Sequence, residues 1–181
     1  MESRYLEGLL PGDLYATSPR DPLGKVATGF LSAETLHWGL IVRPFLEGEH
    51  PDYEIMEALL TKGTSVGLFN NIYLDIPLRI YRVKGVATPD IEVLERVAYD
   101  YGRATYGYTA VPGIVTWWVF FHMWRLTHFK PPALDTDSVV CTVFVTMVWR
   151  DLGVDLVPEE VYPTPNMLEK SEGLECVHAE Y

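Results

Sequence analysis

Three residue types from distant parts of the chain carry the makings of a nucleophilic site. Cys141 comes just after Asp135-Thr136-Asp137-Ser138, residues that suit a helix N-cap. A thiol in the first turn of a helix sits beside unpaired backbone N–H groups and the positive end of the dipole, so it loses its proton more readily and becomes a better nucleophile. The alternative is a buried cysteine acting as a small hydrophobe among Val and Phe neighbours. A thiolate needs a base, and the base needs an orienting group. His37 opens the apolar run His37-Trp38-Gly39-Leu40-Ile41-Val42, where a sheet would fix it at the rim of a cleft. The run Tyr53 to Leu59 offers two carboxylates, Glu54 and Glu57. In an antiparallel hairpin, cross-strand neighbours lie about 5 Å apart, close enough for a carboxylate to hold the imidazole. Strand alternation sends Glu54 and Glu57 to opposite faces, so at most one of them faces His37. His50, His122, His128 and His178 are weaker bases, because none has a strand and hairpin around it.

These side chains require elements to position them. Gly12 to Thr17 reads as a turn leading into a strand. The His37 run, ended by Pro44, pairs with the Tyr53 run as a hairpin. Ser65 to Phe69 and Pro77 to Val83 read as two further strands. Thr88 suits an N-cap and Pro89 the first helical position, with Ile91, Leu94, Ala98 and Tyr101 at helical spacing to about Arg103. Val140, Phe144, Met147 and Val148 line one face of the cysteine helix, which Gly153 closes. Thr164-Pro165 opens a short last helix. Strands followed by helices make an α+β chain. No repeat or linker divides it, so residues 1–181 read as one domain.

Composition narrows the function. Of 181 residues, 25 are acidic and 14 basic, a formal net charge of −11. Nucleic acid is therefore not an expected partner, since binding it needs clustered Lys and Arg. Two cysteines, Cys141 and Cys176, make neither a disulfide framework nor a zinc site, and no metal or other cofactor is expected. Met1-Glu2-Ser3-Arg4 lacks the basic start and apolar run of a secretory signal, which points to a cytoplasmic or virion-associated location. Val111 to Leu126 holds three tryptophans and two phenylalanines. It is shorter than the ~20 apolar residues of a spanning helix, and reads as a buried or surface-docked helix with membrane or lipid contact as the alternative.

Taken in order, these pieces resemble the permuted NlpC-type papain-like cysteine peptidases and amidases, in particular the YiiX/YaeF-like branch. Leu10-Pro11-Gly12-Asp13-Leu14 resembles the Gly-Asp entry to the first strand, and His37-Trp38-Gly39 the histidine strand. Ile55-Met56-Glu57-Ala58 resembles the acidic strand, which favours Glu57 over Glu54. Val140-Cys141-Thr142 running on to Gly153-Val154 resembles the cysteine helix, and Thr164-Pro165-Asn166-Met167-Leu168 the element after it. The resemblance implies a circularly permuted papain-like fold, a small antiparallel sheet packed against helices. It also implies a Cys141–His37–Glu57 triad, with Tyr106 helping to hold an oxyanion. The implied reaction is hydrolysis of an amide or peptide bond through a thioester, with a small peptide, amide or acyl substrate and cell-wall peptides a common class. Wider relatives include lipid acyltransferases, so acyl transfer or lipid-amide hydrolysis is a second expectation. A non-catalytic binding or virion-associated module is a third. Thr142 stands where the family usually has serine, Val140 where it often has an aromatic, and the aromatic-rich insertion at about 110–128 is unusual.

Overall fold

Local chemistry explains most of the elements. The computed structural model describes residues 6, 8–20, 22–47, 50–59, 62–73, 76–102, 105–106, 138–158 and 162–179. In chain order the elements are β1 (Leu14–Thr17), α1 (Pro22–Leu31), β2 (His37–Glu47), β3 (His50–Leu59), β4 (Gly63–Leu68), α2 (Phe69–Tyr73), β5 (Leu78–Val83) and α3 (Ile91–Asp100). They continue with β6 (Thr105–Tyr106), β7 (Ser138–Val139), α4 (Cys141–Asp151), α5 (Pro165–Glu169) and β8 (Leu174–Ala179). Six strands form one antiparallel sheet in the order β4-β3-β2-β1-β5-β8, and β6 pairs with β7 in a separate parallel pair. The α+β class and the His37–Glu57 hairpin expected from the sequence are both present.

Several boundaries differ from the sequence expectation: β3 begins at His50 rather than Tyr53, and β4 runs Gly63–Leu68, with Phe69 opening α2 instead of ending the strand. Pro44 does not end β2, which runs on to Glu47. β1 reaches only from His37 to Leu40 of β2, so past that point β2 has an open flank where a missing N–H removes no ladder bond. The cap of α3 is Asp90 rather than Thr88, its carboxylate accepting the Glu92 and Val93 N–H groups at 3.0 and 3.2 Å, and the helix stops at Asp100. α4 is capped by Val140 with no side-chain bond, while Ser138 belongs to β7; Asp135 and Asp137 lie outside the described residues. Helix α1, helix α2 and strand β8 had no sequence expectation. Gly153, at φ 88°, and the Thr164 cap with Pro165 behind it match theirs.

The sheet buries both faces. Leu14, Ala16, Trp38, Leu40, Met56 and Tyr81 pack with Leu94 of α3 and with Val143, Phe144 and Val148 of α4. Tyr15, Ile41, Ile55 and Ile80 pack with Phe69 and Tyr73 of α2 on the other face. Each fully buried Leu, Ile or Phe contributes roughly 1.5–3 kcal/mol. The Gly-Asp entry is a brace. Gly12 turns at φ 91° and its carbonyl accepts from Trp149 Nε1 of α4 at 3.2 Å. Asp13 is paired by Arg82 from β5 at 2.8 and 2.7 Å. Together these bonds fix α4 against the sheet.

Candidate functional site

β2 delivers His37 at its first residue, and β3 delivers Glu57 directly across from Gly39. Both lie on the α2 face of the sheet. His37 Nε2 and Glu57 Oε2 are 2.6 Å apart. An ionised carboxylate only accepts, so Nε2 carries the hydrogen and Nδ1 is the ring nitrogen left over. The sulfur of Cys141 lies close enough to that imidazole for each group to shift the other's protonation. α4 comes from the opposite face, and its first residue reaches His37 at the end of β2, where pairing with β3 begins only at Gly39. The backbone N–H groups of Trp38, next to that opening, and of Thr142 lie near enough to the sulfur to favour its anion. The Leu36 carbonyl lies 3.9 Å from it.

Electrostatics follow from this geometry. Burial alone would raise the Cys141 thiol; the hydrogen bond and charge of His37, with the Trp38 and Thr142 N–H groups, bring it below its ordinary range. Burial alone would lower His37, but Cys141 and then Glu57 outweigh it and push the imidazole up to about 10. Burial alone would raise Glu57; His37, Tyr73 and Tyr15 together hold it below the usual carboxylate range. The group favours a thiolate–imidazolium pair beside a carboxylate.

The sequence candidates fall out clearly. Cys141, His37 and Glu57 converge. Glu54 faces away, paired with Arg43 at 2.9 Å and accepting from the Tyr99 hydroxyl at 3.0 Å. The backbone of Tyr106 lies in β6, opposite Val139 and two residues before Cys141 in the paired strand; its side chain lies outside the described residues, as do His122, His128 and the whole 111–126 segment. His178 sits on β8, far along the sheet from His37.

Several participants had no sequence expectation. The Tyr15 hydroxyl donates to Glu57 Oε2 at 2.7 Å, and the Tyr73 hydroxyl donates to the same oxygen. A signal for Tyr15 existed: a glycine inside a strand, two residues after the histidine, marks a close approach from a neighbouring strand. Tyr73 sits on a five-residue helix with no pattern to announce it. Tyr162 is buried near the sulfur, its phenol raised by burial and then by the charge of Cys141. Glu169 of α5 accepts from the N–H of Glu34 at 3.0 Å and of Thr35 at 2.6 Å, and from the Thr35 hydroxyl, also at 2.6 Å. That bond set holds the loop from which His37 emerges. A shallow groove lined by Gly12, Asp13, Arg82, Val86, Pro89 and Trp149 shares no residue with this cluster.

No family model and no curated protein matches the chain. Among solved structures it is similar to metalloprotein yiiX from Escherichia coli O157:H7, with a TM-score of 0.58 and 12% sequence identity over 95% of this chain and 98% of that one. The likeness is one of fold. In this chain no three His, Cys, Asp or Glu side chains among the described residues are grouped to hold a metal ion. His37 Nε2 and Glu57 Oε2 are already spent on each other. The described donor set does not fit a metal centre. Nor is any helix among the described residues long and apolar enough to cross a membrane.

Proposed function

We propose that this protein is a cysteine-dependent hydrolase of amide or peptide bonds with a permuted papain-like arrangement, in which Cys141 is the nucleophile, His37 the base and then the acid, and Glu57 the orienting group. The reading is carried by one observation: a single imidazole is bonded to a carboxylate at 2.6 Å and stands beside a sulfur at a helix start whose thiolate it favours. The sulfur enters the reaction as the anion, its proton resting on His37. It attacks the substrate carbonyl carbon, forming the C–S bond, and the carbonyl electrons move to oxygen. The helix start supplies donors for that oxygen. Val140 makes no side-chain cap bond, and the backbone N–H of Cys141 at the start of α4 is the proposed first donor. The Tyr106 hydroxyl is the proposed second donor. His37 gives its proton to the leaving amine as the C–N bond breaks, which leaves a thioester. Water, deprotonated by His37, then attacks the thioester carbonyl; the C–S bond breaks, releasing the acid and restoring the thiolate–imidazolium pair. Glu57 holds the ring in the tautomer that both steps need.

Replacement of Cys141 by Ala is the test, with a panel of muropeptides and fatty acyl amides as substrates. Hydrolysis is expected to fall by at least about a thousandfold, with the thioester-trapped mass adduct disappearing alongside. Activity unchanged in Cys141→Ala would overturn the mechanism. Release of an acylated acceptor amine instead of free acid, when one is supplied, would assign the thioester to acyl transfer.

A further inference from the structure

The carboxylate of the cluster is held by more than the histidine. Glu57 is 1% exposed, and its Oε2 takes three donors, from His37, Tyr15 and Tyr73. The phenols arrive from separate elements, β1 and α2, with their oxygens 3.5 Å apart and their ring centroids at 4.9 Å. Tyr15, Gly39 and Glu57 form one row across three strands. A Cβ on Gly39 would stand 2.2 Å from the Tyr15 ring. The absent side chain is the passage by which the phenol crosses β2 to reach the carboxylate two strands away. A carboxylate this buried tends to its neutral form, and O–H donors aimed at it oppose that tendency. Burial and the charge of Glu57 also raise both phenols, so each keeps its proton and can only donate here.

We propose that Tyr15 and Tyr73 are positioning residues acting through Glu57: their hydroxyls keep its carboxylate ionised and its Oε2 aimed at His37, and thereby set the lower pH bound of Cys141 reactivity. The inference rests on the proposed roles of Cys141 and His37. Among the described residues the titratable groups facing Glu57 are Tyr15 from β1, His37 from β2 and Tyr73 from α2, with Cys141 of α4 behind the imidazole. Strand β4 places Ser65 opposite, which does not titrate. Glu54, Arg43, Glu95 and Tyr99 cluster on the other face.

Iodoacetamide alkylation of Cys141 against pH reads the thiolate without any substrate. It is run on the full chain carrying Cys176→Ser, because Cys176 is an exposed free thiol. Tyr15→Phe and Tyr73→Phe keep the rings and lose the donors. Each is expected to move the acid limb upward by about one pH unit, a tenfold loss of reactivity on that limb. Added to Glu57→Gln, Tyr73→Phe is expected to move it no further, since both act through one carboxylate. Phe variants with parental melting temperature and an unmoved limb overturn the inference. So does a shift that persists in full in the Glu57→Gln background. Should Tyr15→Phe fail to fold, Tyr73→Phe carries the test alone. A parent profile that His37→Ala leaves unchanged overturns the cysteine–histidine reading itself, and the inference with it.

Discussion

Glu54 and Glu57 stand on the same strand, each bonded to a basic side chain and to at least one phenol, and their surroundings make them different tools. Glu54 is met by Arg43, whose side chain is 42% exposed and also reaches Glu95 at 3.0 Å. Glu57 is met by His37 on the opposite face, in a pocket closed by Tyr15 and Tyr73. Arginine keeps its charge at every accessible pH, so the Glu54 cluster can only hold. His37 can lose its proton within the accessible pH range, near 10 rather than near neutrality, so the Glu57 cluster can hold or let go. Pleat alternation alone decided which carboxylate received which partner.

The largest contrast is expected on truncation. Glu57→Ala leaves two buried phenols and the partly buried His37 without their acceptor and should cost about 3–5 kcal/mol in urea unfolding. That cost should depend on pH. Glu57 is held below its ordinary 4.5, so its share of stability is present above that value and is lost as pH falls through the lower folded one. His37 is raised from 6.5 to about 10, so its share is present below 6.5 and is lost as pH rises through about 10. The gap between wild type and variant should therefore be widest from 4.5 to 6.5 and narrow toward both ends. A gap flat across pH would erase the distinction between the two carboxylates.

A smaller effect is expected from Gly39→Ala, which forces a methyl group against the Tyr15 ring and should cost about 1–3 kcal/mol. In a Tyr15→Ala background the same change should cost little, and a double-mutant cycle in urea measures the difference. The smallest belongs to Glu54→Gln, about 0–1 kcal/mol by the same unfolding assay and less at high salt, because its partner is open to water. A loss comparable to that of Glu57→Ala would break the comparison.

The sequence exposed the candidate site more fully than its supports. Cys141, His37 and Glu57 carry short-range marks: a helix start, a strand opening before Gly39, and a carboxylate across a hairpin. Those marks depend on neighbours along the chain. Tyr15 and Tyr73 depend on register between β1, β2 and β3 and on a short helix after β4, which only the folded sheet fixes. Pro44 read as a strand end because its tolerance rests on how far β1 extends. Asp137 and Ser138 read as the cap of the cysteine helix because such residues usually serve there. The residue before α4 is instead Val140, which makes no side-chain cap bond.

Glu169 closes the loop before His37 from the far end of the chain, and the Pro163 carbonyl takes the Thr142 hydroxyl at 2.8 Å. A ribosome makes the imidazole early and the sulfur late, and both precede these two fasteners. While the chain is still being translated, ring and sulfur exist without the contacts that fix their surroundings, and completion of the arrangement waits for the arrival of α5.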